Sequence, residues 1–173
     1  MIKGEIMELS MYIDAIENKL RGSFDISKNH IINGCSYELF AKYHLRNEKY
    51  ILVKKAVAYA FENNEYVLLK YFKDFDKNTY HNCTDNLIKS VNSIVNPSNE
   101  HMSSTISGII VTENIIEEDL EYIKNAVKQF RYNKGFAFGF KGWADIRLIL
   151  VSLNEGLISA NKKGKEVKEV YNF

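Results

Sequence analysis

The sequence predicts an α+β protein in the element order α-βββ-α-β-α-βββ, with two antiparallel three-stranded meanders and one linking strand packed against three helices. Three observations carry this expectation. Apolar residues recur at helical spacing in three segments. Runs rich in Tyr, Val and Leu, split by polar corners, fill Tyr37 to Phe72, and a second set of such runs follows the third helical segment. The 173 residues suit one domain spanning 1–173, with the best internal break in the polar loop 96–104.

In the first helical segment Ile6, Leu9, Ile13, Ile16 and Leu20 share a face, and Gly22 lies just beyond as a stop signal. In the second, Tyr80, Cys83, Leu87, Val91 and Ile94 form the stripe, Asp74 or Asp76 is placed to cap its start, and Pro97 ends it. In the third, Ile116, Leu120, Ile123, Val127 and Phe130 line one side, and Asn114 followed by Glu117 approaches a capping box.

Polar corners at Arg46-Asn47-Glu48-Lys49 and Glu62-Asn63-Asn64-Glu65 are expected to be hairpin turns. Two-residue loops there set Leu45 opposite Tyr50, and Phe61 opposite Tyr66. Alternation then sorts the side chains into two faces. One face is apolar, from Tyr37 and Leu39 through Val67, Leu69 and Tyr71, apart from Lys54, whose ammonium must snorkel to an edge, meet a carboxylate or serve a function. The other face interleaves Phe40, Tyr59 and Tyr66 with Lys42, Lys55 and Lys70. That pattern suits either a half-solvated sheet face or a platform on which bases stack. Further strands are expected at about Thr105 to Val111, Gly135–Lys141, Ala144–Leu153 and Gly156–Asn161.

With 23 basic and 22 acidic residues, the formal charge is +1, so no whole-chain field drawing nucleic acid or an acidic membrane surface is expected. Cys35 and Cys83 do not make a secretory disulfide framework, and neither a signal peptide nor a spanning segment is read, so the expected setting is cytoplasmic, with no membrane. Of the four histidines only His81 lies near a cysteine, at a spacing that divides helix faces, so neither a metal nor another cofactor is expected. Gly135, Gly139 and Gly142 lack the strand-turn-helix context of a phosphate loop, and Asn161-Lys162-Lys163-Gly164-Lys165 reads as a basic turn.

The order helix, three strands, helix, strand over the first 112 residues resembles the core of the restriction-endonuclease-like superfamily. That resemblance implies an acidic residue near the second strand and a Glu-x-Lys-like pair in the third, holding a divalent metal. Lys70 stands for the lysine, Leu68 occupies the position two before it, and Glu62 and Glu65 are the neighbouring carboxylates considered for the set. A second short stretch, Trp143-Ala144-Asp145-Ile146-Arg147, places Asp145 and Arg147 on one strand face. Over Phe136, Phe138 and Phe140 they form either a structural ion pair or a clamp for a carboxylate or phosphate.

No complete catalytic constellation is present. The sequence therefore favours a non-catalytic interaction or ligand-binding module, with candidate ligand residues Lys54, Lys70, Trp143, Asp145 and Arg147. Behind it stand a single-stranded nucleic-acid or nucleotide binder and a degenerate nuclease-like enzyme. Self-association through a sheet edge or the first helix is the expected partner mode.

Overall fold

The computed structural model describes residues 8–50 and 57–172, the side chains of 47–50 and 57–61 excepted. Its elements are α1 (Leu9–Leu20), β1 (Asp25–Ile32), β2 (Cys35–Tyr50), β3 (Val57–Phe75), α2 (Lys77–Ile94), β4 (His101–Ile115), α3 (Leu120–Gln129), β5 (Asn133–Gly135), β6 (Trp143–Ser152) and β7 (Leu157–Ala160). The class is α+β. Among the described residues seven strands form one mixed sheet in the order β1-β2-β3-β4-β6-β5, with β7 also paired to β6. β2 runs antiparallel to β1 and β3, whereas β3, β4 and β6 are mutually parallel. Parallel neighbours need long crossovers, and α2 and α3 supply them.

Each face of the sheet buries its own core. Tyr12, Ile16 and Leu20 of α1 pack with Leu39, Ala41, Val67, Leu69, Ile109 and Val111. On the opposite face Tyr80, Leu87 and Val91 of α2 and Ile123 and Val127 of α3 pack with Leu68, Ile106, Ile110 and Leu148. Ile6, at the head of the expected first stripe, lies outside the described residues. Asp76, not Asp74, caps α2, accepting from the Thr79 amide at 2.7 Å. The expected capping box of the third helix does not form. Asn114 belongs to β4 and donates to Asp74 at 3.1 Å, and α3 opens instead from a 3-10 turn at Glu117–Asp119.

The first meander exists with other strands than the expected ones. Its first strand is β1, joined to β2 by Asn33-Gly34 with both residues at positive φ. The expected corners at 46–49 and 62–65 are not turns. They pair along one long hairpin, with Leu45 opposite Asn63 and Arg46 opposite Glu62. The polar residues there find partners: His44 meets Asn64 at 2.7 Å and Arg46 lies 4.0 Å from Glu62 across the ladder, and Arg46 also reaches Glu100, just before β4, at 3.1 Å. The alternation survives, since Leu39 faces Leu69 and Ala41 faces Val67 on the α1 side, but the register does not.

Near the other edge, β5 and β7 do not flank β6. Both pair along the side of β6 away from β4, at opposite ends of it. The expected strand 135–141 is mostly a tight turn, so Phe136, Phe138 and Phe140 form no row beneath Arg147.

α2 crosses β4 at Gly108, where an added Cβ would lie 2.3 Å from Leu87 Cδ2. Gly108→Val is expected to lower stability by about 1–3 kcal/mol through overpacking. Urea unfolding measures this, and a companion Leu87→Ala change should recover part of the loss.

Candidate functional site

Two regions collect the residues singled out by the sequence. The first lies where β2 and β3 meet α2. Lys70 Nζ sits 3.6 Å from Glu38 Oε1 and 5.8 Å from the centre of the Phe72 ring. It opens on a pocket of about 190 Å³ shared with both cysteines, Tyr37, Asn82 and Asn86. Burial holds the Cys83 thiol up at about 12, with Cys35 adding to the rise and Lys70 opposing it. Glu38 is the acidic partner that sequence reasoning missed. It lies 32 residues from Lys70, and only the β2–β3 register brings the two together. The metal set implied by the nuclease resemblance does not fit. Leu68 is buried in the core, Glu65 bonds Arg147 instead, and Glu62 lies by Arg46. Among the described residues no three His, Cys, Asp or Glu side chains converge on a metal-sized space.

On the basic-aromatic face of the first meander Tyr66 is covered, Phe40 is half-buried and Lys42 is exposed. Tyr66 is buried, with its hydroxyl donating to Ile94 O at 3.3 Å, and Phe40 stacks on His30 at 4.3 Å. Lys42 Nζ is 6.0 Å from the Tyr66 ring centre. The Tyr66 ring packs with α2 residues on that side of the sheet. Lys54, Lys55 and the side chain of Tyr59 lie outside the described residues.

The second region is the edge formed by β5, β6 and β7. Asp145 and Arg147 share the α1 face of β6, as alternation requires. Asp145 accepts from Asn133 Nδ2 at 2.9 Å and lies 3.6 Å from Lys163 Nζ. Arg147 spans Glu65 at 3.2 Å and Glu166 at 3.3 Å, while its Nε is buried without a partner among the described residues. Both side chains therefore meet the chain's final basic segment, not the phenylalanines. Trp143 begins β6 and is 42% exposed.

Between β5 and β7 the edge of β6 is left unpaired, and Asn161 fills that gap. Its Oδ1 accepts from Leu148 N at 3.0 Å and Gly164 N at 2.7 Å. Its Nδ2 donates to Ile146 O at 3.0 Å and to Phe130 O, past the end of α3, at 3.3 Å. The turn after Asn161 is thereby pinned, and its outward residues are lysines. One cleft of about 280 Å³ beside it takes Arg131, Lys162 and Lys163 together with Asp145 and Glu166. Another of about 320 Å³ takes Lys128, Lys165 and Lys168 with Glu169. Ser159 lines the second cleft, its hydroxyl buried and without a partner among the described residues. The sequence shows the lysine run, but nothing local in it shows that Lys128 of α3 and Arg131 just past its end join it.

An α+β domain with one cationic sheet edge is what these features define. The chain belongs to the family described as Domain of unknown function (DUF8052), which its residues 8–173 match. No curated protein and no solved structure matches the chain.

Replacing Asn161 by Leu strands two amides and two carbonyls in a buried strip, and each orphan typically costs about 1–3 kcal/mol. A stability loss of roughly 3 kcal/mol or more is expected in urea unfolding, against less than about 0.5 kcal/mol for the exposed Lys162→Ala. For Cys83, iodoacetamide labelling of Cys35→Ser protein at pH 8 should run at least ~100-fold slower folded than unfolded, because the thiolate is the reactive form. Equal rates would show that the thiol is not held up by burial.

Proposed function

We propose that the domain is a non-catalytic binding module that takes an anionic group, phosphate or carboxylate, at the basic edge beside β5 and β7. The observation that carries this reading is the Asn161-anchored turn with a cleft at each side. Together the clefts bring six cations against three carboxylates. Like charges gathered on a pinned turn repel one another, and an anion relieves that repulsion while gaining charge-assisted hydrogen bonds. The cleft volumes approach those of small-molecule sites. Binding residues also favour loops held by a rigid scaffold, as this one is. The two free cysteines fit a reducing, intracellular setting.

Calorimetric titration with inorganic phosphate, tripolyphosphate and citrate at low salt tests the proposal. Tripolyphosphate is expected to bind most tightly, and affinity should fall as salt rises. Lys163→Glu and Lys165→Glu should each weaken binding about tenfold, roughly 1.4 kcal/mol. Wild-type protein that takes up none of the three anions at low salt removes the reading.

A further inference from the structure

The loop between β5 and β6 has a backbone that its residues do not favour. Ala137, Phe138 and Gly139 follow one another in the left-handed region, with φ of 47°, 56° and 91°. Only glycine adopts that region freely, and a bulky residue there is an outlier whose occurrence points toward function. Burial does not compensate for it: Phe138 is fully exposed, and Phe140 is 87% exposed.

The turn is held firmly all the same. Gly139 N and Lys141 N both donate to Phe136 O, at 2.9 and 3.1 Å, and Phe136 N donates to Gly142 O at 2.9 Å. His101 Nδ1 donates to Lys141 O at 2.6 Å, fastening the loop to the start of β4. Two aromatic rings are thus presented to solvent on a fixed tip, with Trp143 and Met102 partly exposed at its base.

Charge and continuity identify the occupant. Lys134 and Lys141 bracket the loop in sequence, and the Lys134 ammonium lies 5.3 Å from the Phe136 ring centre at the loop's base and donates to Asn92. β5 carries the loop directly into the cleft that holds Arg131 and Lys163. A protruding aromatic tip beside a cationic strip matches a bilayer interface, where rings enter the acyl boundary and ammonium groups stay among the phosphates. An apolar protein groove would accept the rings but has no need of the adjoining cations. We infer that this loop docks the domain on an anionic lipid surface, whose headgroup phosphates are the anions offered to the basic edge. No described helix is long and apolar enough to cross a membrane. The docking rests on the basic-edge reading and extends it.

Vesicles of phosphatidylcholine alone, or with about one third phosphatidylglycerol, provide the test. Trp143 is the chain's one tryptophan, so its emission reports on this loop alone. A blue shift and co-sedimentation are expected with anionic vesicles only. Phe138→Ser/Phe140→Ser should weaken vesicle binding roughly tenfold or more through lost ring burial, with tripolyphosphate binding unchanged. Vesicle binding indifferent to the two phenylalanines overturns the inference. So does absence of vesicle binding by a protein that still binds tripolyphosphate, which leaves the basic-edge reading standing. A phenylalanine-dependent dimer that ignores vesicles also overturns it, assigning the tip to protein contact. Phenylalanine-dependent vesicle binding without tripolyphosphate binding overturns it too, because the basic edge would then not be what takes the headgroup phosphates.

Discussion

The side-chain amide of Asn161 is the contact on which this edge of the molecule depends. β6 has β4 on one side, but its other side is covered by two short strands that leave an interval between them. An open strand edge buried against a helix carries unsatisfied N–H and C=O groups, each costly in a low-dielectric setting. A single asparagine resolves this by imitating a backbone: it offers a carbonyl to Leu148 and Gly164 and an amide to Ile146 and Phe130. The same four bonds fix where α3 ends, where the chain turns, and which way the lysines of that turn project.

Much of the architecture was legible because it follows from periodicity. The stripes of α1, α2 and α3 are set by residues that must leave water together, and burial rewards their alignment whatever the partners are. Strand alternation was legible for the same reason, which is why Leu39, Ala41, Val67 and Leu69 fall on one face. Register was not. The polar stretches around Arg46 and Asn63 look like corners in one dimension but lie side by side in the ladder, where polarity costs little on a hairpin extending past β1. The cue that locates β1 is local, Asn33-Gly34, whose positive φ values close a two-residue turn. β1 itself shows no clear alternation because most of its residues are solvent-facing.

The site was partly visible. Asp145 and Arg147 share a face as two-residue spacing demands, yet their partners, Lys163, Glu65 and Glu166, come from distant segments that alternation cannot rank. Lys70 was visible as a cation on a strand; Glu38 was not visible as its counterion. A sum near neutrality says nothing about segregation. Here acids gather at the start of α3, in Glu117, Glu118, Asp119 and Glu121, while lysines gather past its end. A small net charge is therefore compatible with an edge where cations outnumber carboxylates.

The closure of α1 onto the C-terminal segment bears on how the chain is made. Tyr12 donates to Tyr171 O at 2.8 Å, and Lys19 donates to Val170 O at 2.8 Å and Asn172 O at 3.1 Å. On a ribosome the first helix can seat its apolar side on β2, β3 and β4 as they form, but these three bonds must wait until residue 172 has cleared the exit tunnel. Strand β4 likewise gains its second neighbour only once β6 has been translated. A nascent chain halted before residue 170 would hold its first helix without that clasp.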